Sequence, residues 1–244
     1  MNDDPLMARA RRLWETLAGV PVPSAPDGGP VVVTAPASAL CPPAWVGTVL
    51  LGDTALVTAP TDAAADVVSR VLKAVPTREL AEPEVIRGEL PVAEVLGPAT
   101  LAYLSADAFR PYEPPDVTVT TLPADDPELL GLLASVSEED AGECGLDEIT
   151  SPAFVVREDA TGLVAAAGYE DWPGETAHLC VLTAPGARGR GLARAVASAA
   201  TRHALAADRL PQWRARPEAS RRVARALGYR ELGSQLSVRL HGPA

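Results

Sequence analysis

The chain has 244 residues, 47% of them apolar, and carries a formal net charge of −11. This length is comfortable for two domains, and the acidity argues against a general nucleic-acid binder. Cys41, Cys144 and Cys180 are odd in number and lack metal-type spacing, so we expect neither a disulfide framework nor a metal site. The N-terminus has no apolar core of signal-peptide type, and no window approaches the ~18 to 20 apolar residues of a membrane span. We therefore expect a cytoplasmic protein without a membrane partner.

The overall charge conceals a division in the C-terminal half. Residues 116–187 contain fifteen acidic residues and one arginine, a net charge of −14. Residues 188–239 contain twelve arginines and three acidic residues, a net charge of +9. The acidic segment is suited to attract cations, and the basic segment is suited to bind anions. Two solvated faces would explain such charge runs equally well.

The N-terminal part alternates short helices and strands. Its apolar pattern predicts helices at 5–17 and 62–75, strands at 31–33, 46–51 and 55–57, and short elements at 92–96 and 99–104. Leu51-Gly-Asp-Thr54 is typical of a hairpin turn. No cluster of His, Cys, Asp or Ser suggests chemistry there, so we interpret residues 1–115 as a packing or dimerising α/β domain. Three prolines between 111 and 115 predict the domain boundary.

Residues 116–244 are typical of a second, mixed α/β domain. The pattern predicts strand 117–122, helix 126–136, an acidic loop or short helix at 138–148, strands 153–157, 163–169 and 178–183, helix 191–208, strand 213–215, helix 217–227 and strand 235–240. This element order is that of a sheet flanked by helices.

The stretch His178–Arg194 is the most informative part of this domain. A short apolar strand, Leu179–Thr183, leads through a loop rich in Gly, Pro and Arg into an Ala-rich helix. The unpaired amides at a helix N-terminus point towards a ligand, and the helix dipole favours an anion. Gly189 and Gly191 let a phosphate approach the backbone, and the neighbouring arginines add positive charge. The loop is therefore a candidate diphosphate site.

The motifs of this domain resemble the GNAT superfamily of N-acetyltransferases. Arg188-Gly-Arg-Gly191-Leu-Ala193 matches the family's acyl-CoA motif, and the helix that begins Glu218-Ala-Ser220 and closes on Gly228-Tyr229 matches a second one. The resemblance covers about residues 117–240. It implies a central, mostly antiparallel, splayed sheet flanked by helices, with a smaller N-terminal α/β domain outside the resemblance. Some relatives carry a degenerate acetyltransferase-like half there, which we keep as an interpretation of residues 1–115.

The resemblance also implies an activity: transfer of an acetyl group from acetyl-CoA, as co-substrate, to a primary amine that attacks the thioester directly. It implies that the loop amides hold the pyrophosphate and that the strand edge holds the pantetheine arm. The cofactor-binding residues would be Val181, Leu182, Thr183, Arg188, Gly189, Arg190, Gly191, Leu192 and Ala193. Arginines 190, 194, 221 and 222 are candidates for the ribose phosphate.

The chain departs from the family at positions that often supply catalysis. The frequent Asn before the last helix is Pro217, the Tyr that often protonates the thiolate is Ala224, and a Glu of some relatives falls near Ala177. Substitutes are available in the sequence. His178 and Glu175 are candidate bases, together with Glu170, and Ser220 or Tyr229 could donate to the thiolate.

Three functions remain open at this point. The first is an acetyltransferase whose acidic residues at 138–148 attract a cationic amine, either a small molecule or a peptide. We expect this enzyme to bind no nucleic acid and consider a homodimer possible. Alternatively, the protein is a catalytically weak or inactive CoA-binding or ligand-sensing protein. The third is a relative that transfers an aminoacyl or peptidyl group from charged RNA, which the overall acidity disfavours.

Overall fold

The computed structural model describes residues 4–23, 29–158 and 162–241. The helices in these ranges are α1 (Pro5–Ala18), α2 (Asp62–Leu72), α3 (Pro83–Glu89), α4 (Pro127–Ala134), α5 (Glu138–Cys144), α6 (Leu192–Ala206) and α7 (Glu218–Ala226). The strands are β1 (Val31–Thr34), β2 (Val46–Leu51), β3 (Thr54–Ala59), β4 (Val92–Tyr103), β5 (Thr120–Leu122), β6 (Ala153–Glu158), β7 (Gly162–Trp172), β8 (Thr176–Thr183), β9 (Leu210–Ala215) and β10 (Arg230–Leu240). The predicted mixed α/β class is confirmed. None of the helices in the described ranges is both long and apolar enough to span a membrane.

The chain divides into two compact units, one formed by residues 1–101 and 231–244 and the other by Ala102–Arg230. The sequence pattern predicted a single boundary near residue 115 instead. Two long-range contacts account for the difference. Strand β10 pairs with β2 of the N-terminal unit, and the proline-containing segment packs Phe109 and Tyr112 against the core of the second unit.

The N-terminal unit orders its strands β1-β3-β2-β10-β4. β1 runs parallel to β3, whereas β2 is antiparallel to both β3 and β10. The predicted hairpin turn joins β2 to β3, and Gly52 takes the left-handed conformation that the turn requires, with a φ of 57°. Helix α3 was not predicted, and the two short elements expected after residue 92 form one strand.

Gly233 of β10 lies closely against β2. A Cβ atom at this position would come within 1.7 Å of the backbone oxygen of Leu50. Only glycine fits such an approach of two backbones. The final strand of the sequence is thus fitted specifically to the N-terminal unit.

The second unit orders its strands β9-β8-β7-β6-β5, with β9 parallel to β8 and the remaining pairs antiparallel. Alternate residues of β8 face two separate apolar clusters, as the two-residue period of a strand requires. Leu179 faces the cluster that includes α6 and α7. Cys180 and Leu182 face the cluster that includes α4. The two sides of β8 are therefore covered by different helices.

Candidate functional site

Strands β8 and β9 separate part of the way along their length. Their pairing covers Thr176, Ala177 and His178, opposite Leu210–Gln212. β8 nevertheless stays paired with β7 as far as Thr183. One backbone edge of Leu179–Thr183 therefore faces an opening between the two strands, which we call the wedge.

The wedge is a cavity of about 570 Å³. Its wall combines strand, loop and helix residues: Asp140, Glu143, Cys144, Leu179, Val181–Thr183, Ala187–Gly189, Gly191–Arg194, Trp213–Ala215, Pro217, Ala219, Ser220, Arg222, Val223 and Ala226. All the loop and strand residues predicted to bind the cofactor lie in this wall except Arg190. The volume falls within the ~300 to 1,000 Å³ of small-molecule sites.

The glycine loop has a backbone that suits an anion. Gly189 and Gly191 have φ values of 79° and 80°, which side-chain-bearing residues adopt at a cost. Gly191 is the N-cap of α6, and no side chain in the described structure caps that end. A Cβ atom at Gly191 would lie 3.0 Å from the hydroxyl of Tyr112. The first amides of α6 are thus available at the wedge, and a side chain at Gly191 would meet Tyr112.

Two arginines of this region line the wedge and are held in place. Arg188 donates to Asp140 at 2.8 Å, and its Nε donates to the carbonyl of Thr183 at 3.3 Å. The Arg194 guanidinium lies 4.2 Å from the centre of the Tyr112 ring and donates to the carbonyl of Ala226 at 3.0 Å. Both arginines therefore stand at the loop end of the wedge.

Arg190 takes a different position from the one expected. It pairs with Glu158 at 2.5 Å and does not belong to the cavity wall. Arg188, two positions earlier, does line the wedge. The predicted part of Arg190 in cofactor binding stays a prediction.

The acidic and basic segments of the sequence pair with each other in the fold. Besides the Arg188–Asp140 pair, Arg216 binds Glu143 of α5, and Arg209 binds Asp171 at 3.1 Å. The short acidic helix α5 thus presents two wedge-lining carboxylates that are each paired with an arginine. These contacts offset much of the charge division that the sequence suggested.

Helix α7 runs along the wedge and ends in the predicted glycine. Gly228 has a φ of 98°, and the amides of Gly228 and Tyr229 bond back to the carbonyls of Arg225 and Ala224 at 3.1 Å each. This pair of bonds is a Schellman motif. Arg194 donates to the carbonyl of Ala226 at this end. The C-terminal end of α7 therefore lies at the glycine loop, and its N-terminal end lies farther along the wedge.

Ser220, a predicted donor, lies in the first turn of α7 and lines the wedge. Its Oγ accepts a hydrogen bond of 3.0 Å from the indole nitrogen of Trp213. Trp213 is 3% exposed and packs edge-on against Tyr229, with ring centres 5.5 Å apart. The Tyr229 hydroxyl bonds Thr201 at 2.9 Å and does not line the wedge; burial raises its pKa.

His178, a predicted base, is buried outside the cavity wall. Its Nδ1 lies 2.5 Å from Oε1 of Gln212, and its ring stacks on Trp172 with centres 4.1 Å apart. Burial, and then the charge of Arg214, lower the pKa of His178 to about 3, although the bond to Gln212 opposes this shift. A base with so low a pKa accepts protons poorly near neutral pH, so His178 is unsuited to act as the general base.

Glu175, the other predicted base, lies in the turn between β7 and β8. It is exposed, has a φ of 56°, and is absent from the cavity wall. It lies four positions before Leu179, where the wedge begins, a span of roughly 13 Å along a strand. Glu170 bonds the indole nitrogen of Trp172 at 2.8 Å and is also outside the wall. Neither carboxylate is brought together with Ser220.

Two residues near the wedge, Tyr112 and Arg214, carried no signal in the sequence. Tyr112 falls in the segment interpreted as a boundary. Its backbone amide donates to the Ser198 hydroxyl at 2.8 Å, and its own hydroxyl lies beside Gly191. Arg214 lies beside the wedge with its guanidinium carbon 5.6 Å from the centre of the Trp172 ring. Contacts between residues as far apart in the chain as Tyr112 and Ser198, 86 positions, have no local pattern. Within the described ranges, no group of three or more His, Cys, Asp or Glu residues is arranged to hold a metal.

Comparisons with known proteins agree with this geometry. A model of the GNAT acetyltransferase family matches residues 159–234. The fold is similar to that of a GCN5-related N-acetyltransferase from Kribbella flavida, with a TM-score of 0.50 and 19% identity over 68% of this chain and 65% of that one. No match was found among curated proteins.

Two further solved structures were matched with TM-scores of 0.48. One is a GNAT-family acetyltransferase from Novosphingobium aromaticivorans, 21% identical over 60% of this chain and 65% of that one. The other is a tandem GNAT protein from the clavulanic acid biosynthesis pathway, 16% identical over 100% of this chain and 97% of that one. The match covers just under two thirds of the length of the Kribbella flavida protein and of the Novosphingobium aromaticivorans protein.

The family match includes the glycine loop, α6, β9 and α7, which together with β8 form the wedge. Residues 159–234 of this chain are therefore similar to the GNAT acetyltransferase family.

Proposed function

We propose that the protein is an acyl-CoA-dependent N-acyltransferase that uses acetyl-CoA and acylates a primary amine of a small molecule or peptide. The observation that carries this proposal is the wedge, which ends in the loop of Gly189 and Gly191 at the N-terminus of α6. Such a helix end binds a diphosphate through its amides. The wedge between strands β8 and β9 leads away from this helix end.

The residues present fit acyl-CoA. Loop and first-turn amides would hold the diphosphate, and Arg188 and Arg194 would add charge there. The free edge of Leu179–Thr183 would bind the amide groups of the pantetheine arm as an added strand does.

The protein's part in the reaction is mainly to position the two substrates. The amine nitrogen forms a bond to the thioester carbon, the carbon–sulfur bond breaks, and a proton lost from the nitrogen ends on the sulfur. Holding both reactants in the wedge removes much of the entropic cost of their meeting. Arg216 and Arg188 pair with the carboxylates of α5, so that helix forms a fixed wall beside the wedge.

Release of free CoA thiol in the presence of acetyl-CoA and a panel of primary amines tests this function. We expect turnover with at least one amine, and loss of turnover when Ala193 at the start of α6 is replaced by Glu. The absence of turnover with every amine, while acetyl-CoA still binds, would contradict an acyltransferase.

A CoA-binding sensor is the second candidate. Its support is specific: the position that often holds the catalytic Tyr is Ala224, which is buried and absent from the cavity wall. Single-turnover mixing distinguishes the two functions, because a sensor retains bound acetyl-CoA unchanged in the presence of every amine.

A further inference from the structure

We infer that Trp213 is a positioning residue that orients the Ser220 hydroxyl to donate a hydrogen bond to the sulfur of CoA. This inference rests on the proposed function and assigns the residue that stabilises the leaving group. Two observations carry it: the direction of the Trp213–Ser220 hydrogen bond, and the place of Ser220 along the wedge.

The direction of the hydrogen bond is fixed by chemistry. An indole N–H can only donate, whereas a serine hydroxyl can both donate and accept. In the 3.0 Å contact, Ser220 Oγ is therefore the acceptor, and its own hydrogen is left for another partner. Because Ser220 lines the cavity, a ligand group there is within reach of this hydrogen.

The indole that imposes this direction is itself fixed. Trp213 is 3% exposed and meets Tyr229 edge to face, with an angle of 73° between the rings. The Tyr229 hydroxyl is held in turn by Thr201 at 2.9 Å. Because the Trp213 side chain is enclosed in this way, it keeps one rotamer. Its N–H therefore always occupies the Ser220 oxygen, which leaves the Ser220 hydrogen to be donated.

The place of Ser220 suits the sulfur. Ala226, at the other end of α7, is bonded by Arg194 at the loop where the diphosphate would lie. Ser220 lies six positions before Ala226 in this helix, a rise of roughly 9 Å. Trp213 follows directly after Gln212, the last residue of β9 paired with β8. Ser220 thus lies towards the end of the wedge where β8 and β9 are paired. A pantetheine arm that extends from a diphosphate at the loop would end there.

A donor at this place has a defined chemical effect. As the carbon–sulfur bond breaks, its electron pair moves to the sulfur, and the Ser220 O–H stabilises the thiolate by a charge-assisted hydrogen bond. The serine keeps its proton, and the proton that finally neutralises the sulfur comes from the amine nitrogen. Ser220 also lies in the first turn of α7, where the helix dipole favours negative charge.

The test is the pKa of the CoA thiol when it is bound, read from thiolate absorption in the ultraviolet during a pH titration. A donor to the thiolate lowers this pKa. In the wild-type protein we expect a thiol pKa below that of free CoA by about one unit or more, in line with hydrogen bonds to charged groups. Ser220→Ala and Trp213→Phe should each raise it again, Ser220→Thr should restore it, and the double variant should add nothing further.

Trp172→Phe is the matched control, because that indole N–H bonds Glu170 outside the cavity wall; it should leave the bound thiol pKa unchanged. If Trp213→Phe lowers only the melting temperature and leaves the thiol pKa at its wild-type value, Trp213 is structural and the inference is overturned. An unshifted pKa in Ser220→Ala would overturn it as well. Failure of the wild-type protein to bind CoA would contradict the proposed function instead, so the two failures are distinguishable.

Discussion

Arg188 of the glycine loop donates a 2.8 Å hydrogen bond to Asp140, a residue 48 positions earlier in the chain. The arginine keeps the pKa of Asp140 below its usual range, so this carboxylate is charged at neutral pH. Asp140 lies in the cavity wall close to the loop. It therefore competes with an anionic ligand for the same guanidinium.

Asp140→Asn should tighten CoA binding. The substitution frees Arg188 and removes a negative charge from the wall. Both groups are partly exposed, so the pair is worth about 1 kcal/mol at most, and the dissociation constant should fall by up to about fivefold. Calorimetric titration of CoA at low ionic strength measures this.

Glu138→Gln is the control, since this residue shares helix α5 but not the cavity wall. It should leave the affinity nearly unchanged. The gain in Asp140→Asn should also shrink as salt is added, because salt screens charges at the surface. Weaker CoA binding in Asp140→Asn would show that Asp140 supports the loop rather than competing with the ligand.

The buried His178 should make stability depend on pH. Its pKa is near 6.5 when unfolded and about 3 when folded, so between these values the unfolded chain binds the extra proton. The stability associated with neutral His178 is therefore complete above pH 6.5 and is lost progressively as the pH falls towards 3. The slope should reach about 1.4 kcal/mol per pH unit.

Urea unfolding at several pH values between 4 and 7.5 checks this prediction. His178→Phe keeps an aromatic ring against Trp172 but has no proton to bind. Its curve should be shallower over this interval by the contribution of one proton. Identical slopes in the two proteins would mean that His178 binds a proton equally well in the folded and unfolded states, which would contradict the lowered pKa.

Gly233→Ala should destabilise the protein. The new methyl group would meet the backbone oxygen of Leu50 at 1.7 Å, so β10 and β2 must shift apart. Overpacking of this kind costs about 1 to 3 kcal/mol, which thermal unfolding would detect. Gly88→Ala in helix α3 is the control: no atom lies within 4 Å of its new methyl group. That variant should be neutral or slightly more stable, because alanine favours a helix.

Local pattern was sufficient to predict most of this fold. The hairpin at Gly52, the strand–loop–helix that ends in Gly191, and the helix that ends in Gly228 each depend on neighbouring residues and on glycine conformations that turns require. Features that depend on distant residues were not predictable. The return of β10 to the N-terminal unit and the approach of Tyr112 to Gly191 join segments that share no periodicity or motif.

The same division applies to the site. The residues of the glycine loop follow from backbone chemistry, and all of the predicted loop and strand residues apart from Arg190 line the wedge. The expected bases were chosen by residue type, which says nothing of burial. His178 lies beneath Trp172 in an environment that opposes its charge, and Ser220 is distinguished from other serines only by its bond to Trp213.

The most direct test of the acyl-CoA site is the binding of acetyl-CoA to Ala193→Glu, measured by calorimetry alongside the melting temperature. Ala193 is the second residue of α6, where a carboxylate is favourable to the helix by about 0.3 to 1 kcal/mol. The same carboxylate would occupy the place of the diphosphate and repel it. We predict an unchanged or higher melting temperature with acetyl-CoA binding lost, and Ala193→Gln should bind more tightly than Ala193→Glu. A folded Ala193→Glu protein that binds acetyl-CoA with wild-type affinity would contradict the account.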